Sequence, residues 1–264
     1  MSNNTDFASQ AYLDHLHTII KLGSDEEARG LKFREIIGAK YIVPMSNPVP
    51  SIPERKLGVK FAAAEPWWIL SGKNLLSDIH PFGKMWPYSD DGYFMSGAYG
   101  PKIVDQLAYV CKTLADDKGS RQAVINIWRE RPGPSKDIPC TLSLQFLIRG
   151  GMIHCVATMR SSDAYMGLPY DSILFSLTSA YILSILRHHY SRGCSIELGN
   201  LHLTLGSAHL YDRDFETVNT VISEWDFTPE DIDFNRISSL PPSQFLDLLY
   251  SCATDSRGRG ILEL

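Results

Sequence analysis

Cys140 follows Pro139 at the end of a proline-containing loop and opens an apolar β-type run, so its thiol is held at a strand edge where it can face a cleft. Twenty residues on, the partner run ends in Arg160-Ser161-Ser162-Asp163. A guanidinium beside a thiol lowers its pKa and can also hold a phosphate bidentately. Ser161 adds a hydroxyl and Asp163 a carboxylate at the turn. Taken alone, such a cysteine is a small buried hydrophobe, and an Arg-Ser-Ser-Asp turn is a structural cap. Their pairing across a hairpin is what suggests nucleophilic chemistry on an anionic substrate. The other tempting residues read as structure. Cys111, Cys155, Cys194 and Cys252 are structural thiols, and Trp67-Trp68 is core packing. His202 fills an interior polar slot on an alternating strand. The adjacent His188-His189 point to different sides of a helix and complement its C-terminal dipole.

The elements that must position these groups follow from periodicity. Residues 141–149 and 152–160 are apolar β-type runs separated by Gly150-Gly151, a two-residue hairpin signal. Residues 163–169 turn the chain. Residues 172–192 are apolar on nearly every face, which predicts a helix buried inside the fold. Residues 196–205 alternate like a half-buried strand. Upstream, residues 10–21 carry Tyr12, Leu16, Ile19 and Ile20 at helical spacing, and residues 104–114 read as a second helix. Residues 59–70 are apolar up to Ser71-Gly72, and 123–128 form a short buried strand. The prolines of 44–53 and 131–139 mark loops. The C-terminal third is polar with two proline turns; its apolar tail after Gly258-Arg259-Gly260 reads as a mobile flap or a frayed end. Together these patterns predict a mixed α/β fold with a substantially antiparallel or mixed sheet.

Composition narrows the class. The 264 residues are 44% hydrophobic and 11% aromatic, which excludes an intrinsically disordered chain. A net charge of −5 with interspersed signs argues against a nucleic-acid-coating surface. No apolar run approaches the ~20 residues that span a bilayer. The polar N-terminus is no signal peptide, and five cysteines without CxxC or metal-ligand spacing point to reduced thiols in the cytoplasm. No membrane, nucleic acid or metal is expected.

Four segments are more specific. Ile138-Pro139-Cys140, Met159 through Asp163, Gly167-Leu168-Pro169-Tyr170-Asp171 and Leu205 through Tyr211 resemble the thymidylate synthase family, in its order and at its spacings. Glu65-Pro66-Trp67-Trp68 resembles its glutamate-containing helix, Trp86 its folate-site tryptophan, Ala98-Tyr99-Gly100 its tyrosine turn, and Ser120-Arg121 the arginine segment that reaches into the neighbouring subunit. The likeness spans about residues 60–215. It implies a single thymidylate synthase-like catalytic domain over residues 1–264, with a large mixed β-sheet packed against a long buried helix and sheets back to back in a homodimer. It further implies a pyrimidine nucleoside monophosphate as substrate and 5,10-methylenetetrahydrofolate as cosubstrate. Cys140 is then the nucleophile, its thiolate supported by arginine charge. Arg160, Ser161 and the partner chain's copy of Arg121 bind the phosphate. His209 and Tyr211 hold the sugar hydroxyl, Tyr99 lines the nucleotide site, and Glu65 moves protons and orders water. Asp163, Trp86, Gly167 and Tyr170 line the folate site.

Departures from the family pattern point to the substrate. The base-reading asparagine is Asp171, whose carboxylate accepts from a cytosine amino group and repels the uracil 4-oxygen. Thr141 replaces the histidine after the nucleophile, and Ser207 the aspartate before Ala208-His209. Members with aspartate at the base position resemble cytidylate 5-hydroxymethylases, in which water captures the methylene intermediate and Glu65 with Asp171 positions that water. The expectation is hydroxymethylation of dCMP, with CMP less favoured; the alternative is methylation or hydroxymethylation of dUMP. Gln122 replaces a second arginine, Asp137 replaces an apolar folate contact, and Arg55 is a candidate phosphate ligand from a flap loop.

Overall fold

The computed structural model describes residues 6–130, 133–190, 195–224 and 230–264. Cys194, the start of the 131–139 loop and the predicted helix end at residue 192 lie outside them. The chain opens with α1 (Phe7–Leu22), capped by the Asp6 carboxylate on the Ser9 amide, and Tyr12, Leu16 and Ile19 are fully buried as their spacing predicts. A hairpin of β1 (Ser24–Ala28) and β2 (Leu31–Pro44) follows, turning on Arg29 and Gly30, both at positive φ. No strand was expected there, because half the hairpin is exposed and charged and lacks an apolar alternation. β2 is held instead by pairing along its length with a later strand.

After the proline loop come α2 (Val59–Leu70), the short α3 (Leu76–Ile79), α4 (Gly100–Asp116) and β3 (Val124–Asn126). Trp68 is buried, its indole N–H donating to the Leu75 carbonyl at 3.2 Å, and Trp67 packs on Tyr250 with ring centres 4.7 Å apart, so both tryptophans are structural. The predicted hairpin is β4 (Thr141–Arg149) and β5 (Met152–Met159), and Gly150 and Gly151 both take the positive φ that its tight turn requires.

β6 (Ser162–Asp163) leads into α5 (Leu168–His189). This helix starts four residues earlier than its apolar run suggested, because Pro169 sits in the first turn, where its missing N–H costs nothing. Of the described helices it alone is long and apolar enough to cross a membrane, and it is buried along most of its length. Its last turn carries His188, whose Nδ1 lies 2.9 Å from the Ser184 carbonyl.

β7 (Glu197–Tyr211) continues six residues past the predicted end. Gly206 does not stop the strand. It lets the Arg160 carbonyl come close, to accept from the Ser207 amide at 3.1 Å, where an added Cβ would lie 2.8 Å from that oxygen. α6 (Phe215–Glu224), α7 (Phe234–Ile237) and α8 (Pro242–Thr254) complete the chain. The C-terminal tail is neither flap nor frayed end: Ile261 and Leu264 are buried, and the tail packs on α2 and α8.

The sheet runs β1-β2-β7-β5-β4-β3, with β6 added on β7. β5 and β6 pair with β7 in parallel and the other pairs are antiparallel, so the sheet is mixed as expected. One face packs on α5, with Leu144, Phe146, Cys155, Ala157, Leu201, Leu203 and Leu205 buried. The opposite face carries half-buried Leu147, Val156, His202 and Thr204 and exposed Ile42. His202 therefore lies on this outer face, 6.0 Å from the His154 ring, and not in an interior slot.

Candidate active site

The ends of β4, β5 and β7 and the first turn of α5 converge. β4 begins where Cys140 leaves its loop, and the Arg160 amide closes the hairpin on the Cys140 carbonyl at 2.8 Å. This pairing brings the two side chains together as the sequence suggested, with Arg160 Nη2 3.7 Å from Cys140 Sγ. Arg160 Nε and Nη2 also donate to the Pro139 and Ile138 carbonyls at 2.9 Å each, so the guanidinium clamps the loop that presents the thiol.

The thiol is not poised as a thiolate. Burial pushes the Cys140 pKa up; the Arg160 charge opposes this, while Asp171 and Asp137 add to it. The expected arginine support is present but outweighed by desolvation. Cys111, Cys155 and Cys252 are free and buried, which leaves Cys140 the most accessible of the described thiols.

The Asp171 carboxyl acts on this thiol, and Glu65 acts on Asp171 in turn. Asp171 sits in the first turn of α5, where a helix dipole favours the ionised form. Burial prevails, and with the negative charge of Glu65 and Asp163 it holds the acid well above the usual carboxylate range. Glu65, on α2 beside Pro66, is pushed up to about 7 by burial. The sequence reading treated Asp171 as a carboxylate; its surroundings favour the neutral acid. Tyr99 is also shifted up, by burial and by the charges of Asp171 and Cys140, and its hydroxyl accepts from the Thr141 amide at 3.3 Å. Cys140, Tyr99, Asp171, Glu65 and Asp163 thus form one connected group.

β7 supplies the opposite wall. Its inward-facing series is apolar at Leu201, Leu203 and Leu205, then turns polar at Ser207, His209 and Tyr211, so one strand face serves first the core and then the site. His209 is buried and its ring meets Tyr211 and Phe33 edge-on, with centres 5.0 and 5.6 Å apart. Burial lowers its pKa, against the pull of Asp163 and Glu35. Asp163 pairs with His209 in register, and its Oδ1 accepts from the Tyr165 and Met166 amides at 3.0 and 2.9 Å, which fixes the turn into α5. Gly167 starts that helix, and the Tyr170 hydroxyl accepts from the Gly58 amide at 2.9 Å while its ring meets Phe61 edge-on. Ser161 is half-buried at the bend between β5 and β6.

Not every expected residue joins this group. Arg55 is buried, its Nε and Nη2 donating to the Tyr12 hydroxyl and the Tyr165 carbonyl at 3.2 and 2.8 Å, so it braces the interior and is no phosphate ligand. Arg29 was missed. At the tip of the β1–β2 hairpin, its charge reaches both Cys140 and His209. Only the unrecognised hairpin carries it there, and its one sequence signal is the Arg29-Gly30 turn. Trp86 is 62% exposed on a short 3₁₀ turn. Arg121 is exposed, and its carbonyl accepts from Gln145 Nε2 at 2.9 Å; among the described residues no contact links it to Cys140 of its own chain. The half-buried Asp137 accepts from the Gly97 amide at 2.6 Å and ties its loop to the segment before α4.

A free thiol, an arginine, two high-pKa carboxyls and a polar strand end now stand in one place. A family model described as thymidylate synthase matches residues 10–247. The chain belongs to the thymidylate synthase family. A thymidylate synthase-family protein carries out folate-dependent one-carbon transfer to a pyrimidine nucleotide, with methylenetetrahydrofolate as cosubstrate. The match reaches back to residue 10 and so takes in α1 and the β1–β2 hairpin, upstream of the motifs that carried the resemblance. Among the described residues, no group of three or more His, Cys, Asp or Glu is placed to hold a metal ion.

Proposed function

We propose that this family member is a deoxycytidylate 5-hydroxymethyltransferase: dCMP, methylenetetrahydrofolate and water give 5-hydroxymethyl-dCMP and tetrahydrofolate. The observation that carries the reading is Asp171, whose carboxyl is pushed well above the usual carboxylate range by burial and by Glu65, at the position to which the family resemblance gives base reading. A neutral carboxyl presents one donor and one acceptor. Its carbonyl oxygen accepts from the cytosine 4-amino group while its hydroxyl donates to N3. When Cys140 gives its thiol proton to water and its sulfur bonds to C6, electron density moves onto the ring, and the Asp171 proton passes to N3 to neutralise it. C5 is thereby made nucleophilic. Once the one-carbon unit is on C5, the C5 proton is lost to solvent. As water adds to the exocyclic carbon, the sulfur leaves C6 and the N3 proton returns to Asp171. The same neutral acid turned end for end complements uracil, which is the observation behind the second reading, a dUMP enzyme. The proton that the neutral acid passes to N3 serves cytosine alone, since uracil N3 already carries one. Ionised Asp171 keeps the cytosine amino contact while repelling the uracil 4-oxygen. These two effects, and not the hydrogen bonds of the neutral acid, favour dCMP.

The remaining residues take supporting parts. Arg160 and Ser161, Arg29, and Arg121 from a second copy bind the phosphate. Arg121 fits a homodimer built on the outer sheet face, since Gln145 from that face holds its backbone and leaves its guanidinium exposed. Tyr99 lines the nucleotide pocket, and His209 and Tyr211 meet the sugar. Methylenetetrahydrofolate, when bound, supplies the one-carbon unit. The exposed Trp86 indole and the Tyr170 ring beside Gly167 suit a flat pterin, and Asp163 Oδ2, without a hydrogen-bond partner among the described residues, suits its ring N–H groups. Glu65, titrating near neutrality, accepts a proton from the water that captures the exocyclic methylene carbon.

Mass spectrometry of products from dCMP, CMP and dUMP with the folate tests this. The expected product is 5-hydroxymethyl-dCMP with no absorbance rise from dihydrofolate. Brisk turnover of dUMP with none of dCMP or CMP rejects it.

A further inference from the structure

The polar end of β7 holds a relay that the chemistry above does not use. Glu35 on β2 lies opposite His209 in the antiparallel register, two residues from the Ile37–Ser207 pair. The Ser207 hydroxyl donates to Glu35 Oε1 and lies 3.3 Å from His209 Nδ1. A hydroxyl has one proton. Since that proton goes to Glu35, the Ser207 oxygen faces the ring as an acceptor, and Nδ1 must carry the proton between them. The imidazole is buried, and the Phe33 and Tyr211 rings hold it edge-on. A neutral ring with its proton on Nδ1 has a bare lone pair on Nε2.

We propose that Glu35 is a positioning residue which, through Ser207, fixes His209 as the Nδ1–H tautomer and so makes Nε2 an obligate acceptor for a nucleotide sugar hydroxyl. The sugar half of this rests on the functional reading above; the tautomer half does not. Glu35 touches no reacting atom. The charges facing the ring are Glu35 from β2, Asp163 from β6 and Arg29 from the hairpin tip. The two carboxylates favour a proton on the ring and Arg29 disfavours it, while burial keeps the second proton off, which leaves the neutral ring whose tautomer the relay selects. An acceptor at Nε2 rewards a ligand that brings a hydroxyl and is indifferent to one that does not, so the relay makes the site read the sugar as well as the base.

The test is two-bond ¹H–¹⁵N correlation NMR on full-length protein with ¹⁵N-labelled histidine, the His209 signals being identified by their loss in His209→Gln. The expected wild-type pattern is protonated Nδ1 and bare Nε2. Ser207→Ala and Glu35→Val should each move His209 toward the Nε2–H tautomer, whereas Glu35→Gln, which keeps a side-chain acceptor for the Ser207 hydroxyl, should retain Nδ1–H. Ser207→Ala is small enough to fold if Glu35→Val does not. An Nδ1–H pattern unchanged in Ser207→Ala overturns the relay, as does an Nε2–H pattern in the wild type.

A binding arm reads the consequence. Wild type should bind dCMP at least tenfold more tightly than 2′,3′-dideoxy-CMP, and Ser207→Ala should lose most of that difference. Equal discrimination in both proteins overturns the link to the sugar. If wild type binds neither dCMP nor dUMP, the functional reading fails, while the NMR result still decides the relay.

Discussion

Asp171 and Cys140 show how burial resets ordinary chemistry. Moving a carboxyl out of water disfavours its charge, and a second carboxyl nearby disfavours it further; Asp171 suffers both effects. Asp171→Asn removes the ionisable group and keeps one donor and one acceptor, so it should shift the dCMP:dUMP ratio of kcat/KM toward dUMP by tenfold or more, about 1.4 kcal/mol. An unchanged ratio would show that Asp171 does not read the base. Half-buried Cys140, whose pKa desolvation raises against the pull of Arg160, should react slowly with iodoacetamide at neutral pH, its rate climbing past the ordinary thiol value of 9.0. Removing the guanidinium with Arg160→Met should move the profile further up, and a plateau below pH 8 would contradict the burial argument. Glu65 sets a stability profile. Its folded pKa of about 7 stands above the ordinary 4.5, so the neutral form stabilises the fold at acid pH, and that contribution fades as pH rises through 7. Thermal melts should therefore show wild type losing stability between about pH 5 and 8 relative to Glu65→Gln, by on the order of 2 kcal/mol.

The elements differ in how openly the sequence announces them, and the difference is physical. The β4–β5 hairpin carries its own turn chemistry at Gly150-Gly151, and α5 carries an apolar run too long for a buried strand, so both are local facts. The β1–β2 hairpin and the last six residues of β7 are not. β2 is a strand because β7 supplies its hydrogen bonds, and β7 passes through Gly206 because the Arg160 backbone needs the space. Gly206→Ala should push β5 from β7 and displace both Arg160 and Ser207, lowering stability by ~1–3 kcal/mol and activity along with it. A melt within a degree of wild type would show that the strands absorb the extra methyl.

At the scale of the whole molecule, one sheet face is packed on α5 and the other carries half-buried and exposed side chains. If two copies join through the outer face and exchange Arg121, the site is completed only in the dimer. Mixing Arg121→Ala with Cys140→Ala after mild dissociation should then restore up to about a quarter of wild-type activity, because half of the dimers are mixed and each holds one intact site. No rescue, with sedimentation showing that subunits have exchanged, would place Arg121 in the service of its own chain.

The amino-acid sequence determined what chemistry is available. The cysteine after proline, the arginine at the far end of a hairpin, the aspartate at the start of a buried helix and the histidine–tyrosine strand end are each defined by neighbours within a few residues. Tertiary structure decided the protonation states and the company these groups keep. It buried Arg55 where a phosphate ligand was expected, brought Arg29 in from the chain's first hairpin, set Glu35 behind His209 and raised the Asp171 pKa well above the usual carboxylate range. Those outcomes depend on desolvation and on charges brought together across distant elements, and neither quantity exists until the chain has folded.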